Sequence, residues 1–185
     1  MSKKQWRVDR EWLKEHNACP DGLKWWCKHC EGKTTRQQLL TLVKYRDDWS
    51  WWVLTKFLTV KQNRQLAVFA AKEVLPIFEK KFPDDKRPRK AIEAAEKVIE
   101  CNTGENRAAA WAAAGDAAAA DADAACGAAR DAAKAAAYGA AWAADAARAA
   151  AAWAAADAGA ANGDVVTKQK ILKYGLTLLE EGLDI

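Results

Sequence analysis

The sequence predicts an all-α fold, a compact multi-helix bundle with close-packed Ala-rich helices, and three observations carry that expectation. Between residues 108 and 161, 36 of 54 positions are Ala, the residue with the best helix propensity. Elsewhere apolar residues return at three- and four-residue spacing, as one face of a helix requires. β-Branched residues are scattered and no window alternates apolar with polar for long, which argues against sheet. At 185 residues the chain is long enough for one domain with a real core. Residues 1–59 form a Trp- and Cys-rich helical region and residues 60–185 an Ala-rich bundle, expected to make one continuous unit.

The elements follow in order. Asp9 can cap a helix through Trp12 and Leu13 that ends near Asn17. "ACPDGLKWWCKHCEG" places Pro20 in a first turn and runs through Leu23, Trp25 and Trp26 to Gly32. Thr34 or Thr35 caps the next helix, with Leu39, Leu40, Leu42 and Val43 as its buried stripe. Asp47 or Asp48 then starts "WSWWVLTKFL", in which Trp49, Trp52, Val53 and Phe57 share helical spacing. A long helix from about Lys61 to Lys80 carries Leu66, Phe69, Val74, Ile77 and Phe78 on one side, with Pro76 inside it. "FPDDKRPRKAIEAAEKVIE" turns tightly into another helix, Pro88 suiting its first position, and Thr103 with Gly104 breaks the chain again.

The Ala-rich tract as one straight helix would reach about 80 Å, too long for a domain of this size, so it must fold back. Gly115, Gly127 and Gly139 are the candidate hinges, and "DADAACG" at 121–127 is the expected turn. Tyr138, Trp142 and Trp153 fall on one face and form a packing stripe. A closing helix begins at Asp164 and presents Leu172, Leu176, Leu179 and Leu183 to the bundle. With ten Trp in the chain, a few large anchors are expected to carry the core, because Ala buries little surface and Trp much.

Other readings of the Ala tract fail on composition. Disordered tracts are poor in aromatics, an ice-binding helix needs rows of Thr that residues 108–161 lack, and frequent charges exclude a membrane span. The start MSKKQWRVDR has no apolar run of a signal peptide. Five cysteines at irregular spacing fit reduced thiols, so a cytoplasmic location in a bacterial host cell and no membrane partner are expected. Residues 1–103 carry 22 Lys or Arg against 14 Asp or Glu, a net +8, and residues 104–185 carry 7 against 11, a net −4. A basic first half can attract phosphate or an acidic protein surface.

Chemistry has few footholds. There is no G-x-S-x-G, P-loop or H-E-x-x-H, and two His are all the chain offers, so no catalytic residues and no enzyme are expected. Asp121 and Asp123 look like a cap rather than an acid pair. His16, Cys19, Cys27 and Cys30 make H-x2-C-x7-C-x2-C, the ligand types of a zinc knuckle. The preferred reading is no cofactor, with Cys19 a buried small hydrophobe and "CKHC" a coincidence in a Cys-containing helix; zinc is the alternative. Lys80, Lys81, Lys86, Arg87, Arg89 and Lys90 crowd one turn and form the expected partner-binding surface, against the plainer reading that Asp84 and Asp85 pair with the guanidinium groups. Of the clustered tryptophans, Trp49 and Trp52 are expected in the core and Trp51 exposed as an interface anchor. Lys44, Arg46 and Lys56 nearby would suit nucleic acid, although no helix-turn-helix or related pattern accompanies them.

"VLPIFEKKFPDDKRPRKAIEAAEKV", residues 74–98, followed by the Ala-rich tract with its Trp and Gly punctuation, resembles immunity proteins of the immunity-five-like family. The motif at Ala18, Cys19, Gly22 and Trp26, with Asp48, Trp49, Trp52 and Leu54, looks like an N-terminal extension of phage and mobile-element relatives. Cys27 and Cys30 depart from that pattern. The resemblance covers most of residues 18–161 and is most specific at "PDDKRPRKAIEAA". It implies an all-α protein that binds and neutralises a protein effector, a toxin or a defence nuclease, including an anti-CRISPR role; no catalytic residues carry over. The competing expectation is a nucleic-acid-binding module, zinc-stabilised or not, and association with a second copy of the chain stays open.

Overall fold

The computed structural model describes residues 8–45, 47–120, 124–141 and 165–181, and among them every regular element is a helix. The helices are α1 (Arg10–Glu15), α2 (Pro20–His29), α3 (Thr35–Tyr45), α4 (Asp47–Phe57), α5 (Val60–Lys81), α6 (Arg87–Glu100), α7 (Gly104–Ala118), α8 (Ala124–Ala141) and α9 (Val165–Glu181). None of the described helices is long and apolar enough to cross a membrane.

Local chemistry sets most of the boundaries. The Asp9 carboxylate accepts from Trp12 N–H at 2.9 Å and starts α1, and Asn17 leaves it in the left-handed region at φ 58°. Pro20 opens α2, where its missing N–H costs nothing, and Gly32 at φ 78° turns the chain toward α3. Thr34 is the cap of α3: its hydroxyl accepts from Gln37 N–H while Gln37 Oε1 accepts from Thr34 N–H. The same reciprocal box recurs at α5 between Thr59 and Gln62. Gln62 reaches further, its side-chain amide donating to the Leu178 carbonyl of α9.

Helix α8 is the hub of the bundle, packed against α5, α6 and α7, while α9 lies on α5 and α4. It plays that part because its alanines 129, 132, 133, 136, 137 and 140 are completely buried. Small side chains allow neighbouring axes to approach the short end of the usual ~8–10 Å range. Ala91 of α6, Ala114 and Ala117 of α7 and Ala137 of α8 form a cluster of their own. Tyr138 packs on it and meets Trp111 edge-on at 4.8 Å. Trp142 and Trp153, the other expected members of that stripe, lie outside the described residues, as do Asp164 and Leu183.

The main core runs from Val8 to Leu179 and draws on both ends of the chain. Its largest fully buried side chains are Phe78, Leu39, Leu54, Leu66, Ile92, Ile171 and Leu172, each contributing ~1.5–3 kcal/mol by burial. Tryptophan anchors that core only in part, since its largest fully buried side chains are Phe, Leu and Ile. Trp26 and Trp51 are buried, but Trp12, Trp25, Trp49 and Trp52 are only half-buried and Trp111 is 47% exposed. Leu40, expected in the α3 stripe, is exposed.

The hinge expectation also needs correction. Gly115, Gly127 and Gly139 all lie inside helices; the chain leaves the helix at Ala118 and re-enters at Ala124. Arginines from other elements mark that end: Arg87 donates to the Ala119 carbonyl and Arg130 to the Ala120 carbonyl, both at 3.0 Å. The last carbonyls of a helix lack internal partners and carry its negative pole, so cations settle there. Long-range bonds of this kind leave no local sequence mark.

Candidate cationic surface at the helix corner

The corner between α5 and α6 is built before it is charged. Phe82 N–H closes the end of α5 on the Phe78 carbonyl at 2.9 Å, and Asp85 N–H returns to the Phe82 carbonyl at 3.2 Å. Pro88 is buried as the second residue of α6. Asp85 accepts from the Arg87 backbone N–H at 3.0 Å and from its guanidinium, Nη2 to Oδ2, at 2.7 Å. Arg87 Nη1 goes on to Ala119, so one side chain ties the corner to the end of α7. Arg89 forks onto Glu79, with both bonds at 2.6 Å.

These pairs set the charge states. The Arg87 side chain beside Asp85 holds that carboxyl below the usual carboxylate range, against the opposing effect of burial. The Arg89 hydrogen bonds do the same to Glu79, and Glu79 in turn raises Arg89. Of the six cations expected to meet a partner, Arg87 and Arg89 therefore serve as struts. Lys81 lies over the Phe82 ring, 5.8 Å from its centroid. Lys80, Lys86 and Lys90 are exposed on the corner. Glu79 is the residue that sequence reasoning missed, since Asp84 and Asp85 were nearer in sequence. Its only signal was its place across the helix hairpin from Arg89.

Trp51 does not belong to this or any other exposed surface. It is 5% exposed, because α4 is covered on two sides. Trp51, Leu54, Thr55 and Leu58 form one buried edge, and α9 and α3 both pack on α4. Trp49 and Trp52 face the N-terminal helices instead, Trp25 meeting Trp49 edge-on at 5.7 Å and Trp12 meeting Trp52 at 5.8 Å. Between them lies an apolar cavity of about 280 Å³ lined by Trp25, Trp26, Trp49 and Trp52, with Cys19 at its wall. The three tryptophans of α4 do diverge, as helix geometry demands, but the inward one is Trp51.

The zinc alternative finds no centre. Among the described residues no three His, Cys, Asp or Glu side chains are grouped to hold a metal. Cys19 is exposed, not the buried hydrophobe expected, because it caps the start of α2, its sulfur accepting from Gly22 N–H at 3.3 Å. Cys27 lies eight residues on, about 12 Å further along a helix. Cys30 is fully buried, and burial raises its thiol above the ordinary range. His16 is stacked on Trp12 at 4.0 Å with Nδ1 donating to the Trp12 carbonyl. The helix between them keeps the His16/Cys19 pair apart from the Cys27/Cys30 pair, so ligand types at knuckle spacing do not converge.

Residues 56–179 match the family described as "Imm-5 like putative immunity protein". No curated protein and no solved structure matches the chain. Residues 18–54, which carry the expected N-terminal motif, lie before the matched segment. That segment starts at the end of α4, ends in the last turn of α9 and takes in the whole cationic corner, so the chain belongs to the Imm-5 like immunity protein family.

Proposed function

We propose that this protein is a non-enzymatic inhibitor that neutralises a protein effector by binding it, with the α5–α6 corner as the contact surface. Family membership supports the immunity-type role. The single observation behind the surface is the division of labour at the corner: Arg87 and Arg89 are held by Asp85 and Glu79, while Lys80, Lys86 and Lys90 stand exposed on that braced turn. A braced turn presents its lysines from a fixed backbone, so that only their side chains need ordering on binding, and the group suits an acidic surface. Nucleases that bind nucleic acid display basic sites, and their inhibitors are typically acidic there. The corner therefore favours an acidic face of a toxin or defence nuclease, away from a phosphate-binding cleft, and an anti-CRISPR role is one instance of this reading.

The test is capture from lysate of the producing cells, comparing the wild-type chain with a K80E/K86E/K90E variant. Binding is expected to concentrate one protein on the wild type and lose it on the variant, with both chains equally helical. Equal retention by a folded triple variant would remove the corner from the contact surface. Retention that vanishes on nuclease treatment, with a steep salt dependence of the captured material, would favour nucleic-acid binding instead.

A further inference from the structure

The Trp-lined cavity among the N-terminal helices is held open by what surrounds it. Trp49 stands edge-on to Trp25 at 5.7 Å and Trp52 edge-on to Trp12 at 5.8 Å, and Trp12 is stacked in turn on Phe57 at 5.0 Å. Rings braced by other rings resist collapse onto the space between them. Gly22, also in the wall, adds to the room. Its backbone is ordinary helix with no positive φ to require glycine, and alanine would favour the helix more. A Cβ there would stand 3.2 Å from Cys19 Sγ and 3.8 Å from two carbons of the Trp49 ring. A longer side chain would therefore run along the ring that forms the wall.

The chemistry of the wall selects the occupant. None of its residues carries a charged side chain, so an ion would shed its hydration with nothing to replace it. Asn17 and Cys19 are its exposed members and mark the mouth, while Leu42 and Val53 are buried behind the tryptophans. An apolar cavity of about 150 Å³ holds benzene, and one of about 280 Å³ has room for two fused rings. Aromatic walls favour a planar aromatic over a saturated molecule of the same size, because ring pairs gain beyond the area they bury. We propose that this cavity binds a small uncharged aromatic molecule of one or two fused rings. Every wall residue precedes position 56, where the family-matched segment begins, so the site stands independently of the cationic corner.

The experiment follows the ten tryptophan indole N–H signals of the full chain by ¹H–¹⁵N NMR while phenol, indole, cyclohexanol or benzoate is added. The Trp25 and Trp49 signals are assigned by their loss in W25F and W49F. Phenol or indole is expected to move both signals saturably, with cyclohexanol binding about three- to tenfold more weakly than phenol and benzoate not binding. Through-space contacts from the bound ring to the Leu42 and Val53 methyls should place it in the cavity. Gly22→Leu is expected to weaken binding about tenfold or more by filling the space; should that variant not fold, the wild-type titration and contacts decide. No saturable response to either aromatic, or equal affinity for cyclohexanol, would overturn the proposal. Tighter binding of N-acetylphenylalaninamide than of phenol would overturn it too, giving the cavity to an aromatic side chain of a bound polypeptide.

Discussion

Arg87 of the helix corner donates to the carbonyl oxygen of Ala119, 3.0 Å away at the end of α7, while the rest of its guanidinium holds Asp85. The same side chain thus shapes the cationic turn and marks where the first Ala-rich helix stops. Arg87→Ala is expected to cost about 1 kcal/mol, a modest figure because the side chain is partly exposed. Arg87→Lys should recover little of it, since an ammonium cannot serve Asp85 with a fork and reach Ala119 as well. Urea denaturation of the two variants beside the wild type measures this; a lysine variant as stable as the wild type would show that charge alone suffices.

The acid side of the stability curve follows from Asp85 and Glu79. Both carboxyls titrate lower folded than free because arginine side chains hydrogen-bond their charged forms. Their contribution is complete above the unfolded values, near pH 4, and is lost as pH falls through the lowered folded values. Thermal melts between pH 2 and 6 should show stability declining below about pH 4, and the decline should be shallower in D85N/E79Q. An unchanged slope in that variant would place the acid sensitivity elsewhere.

Two glycines in helices should respond to alanine in opposite directions. A Cβ on Gly175 would stand 2.5 Å from Leu54 Cδ2 and 3.4 Å from Leu66 Cδ1, and both leucines are buried. Gly175→Ala is expected to destabilise by about 1 kcal/mol even after the gain in helix propensity. A Cβ on Gly115 would meet nothing within 4 Å, so Gly115→Ala should stabilise by about 0.5–1 kcal/mol. Denaturation midpoints of the pair decide it, and stabilisation by both would mean that α9 does not lie this close to α4.

Asn63 joins α4 to α5 by donating from one nitrogen to the carbonyls of Thr55, Leu58 and Thr59 at 3.0–3.2 Å. The residue is completely buried. Asn63→Ala is expected to cost about 1–3 kcal/mol by stranding those carbonyls, and Asn63→Asp more, since it turns an acceptor toward acceptors. Amide hydrogen exchange in α4 and the first turns of α5 should accelerate ahead of the rest of the chain.

The joint bears on domain organisation. Residues 1–59 supply Leu39, Trp51 and Leu54 to the same core as Leu66 and Leu172, and we propose that the two regions fold as one unit. A chain lacking residues 1–59 is then expected to lose cooperative unfolding; a sharp thermal transition in it would make residues 60–185 a domain of their own.

What the sequence made legible was mostly what is local. Caps at Asp9 and Thr34 and the proline start of α2 depend on residues within one turn of each other, and the α9 leucines are one face of one helix; the Thr59–Gln62 box is just as local, but the sequence reading began that helix at Lys61 and passed over it. The turn at the end of α7 was placed nearly right for an incomplete reason: glycine seemed the breaker, whereas the helix end is held by Arg87 and Arg130 from distant elements. Trp51 misled because a helix covered on two sides hides positions that a single apolar face would leave outside. The cationic corner was visible as composition, but not the split between bracing arginines and exposed lysines, which depends on Glu79 ten residues before Arg89.

The alanines of α8 give the protein an unusual relation to mutation. A repetitive stretch is ordinarily taken as sequence free to drift, yet at Ala132, Ala133 and Ala136 the side chain is already the smallest that still favours a helix. Substitution to glycine loosens the helix, and any larger residue must push apart neighbours on three sides. Such an interface changes only by coordinated replacement in several helices at once. Its monotony is the outcome of constraint, and variation in relatives should gather on the outer face, where side chains meet water.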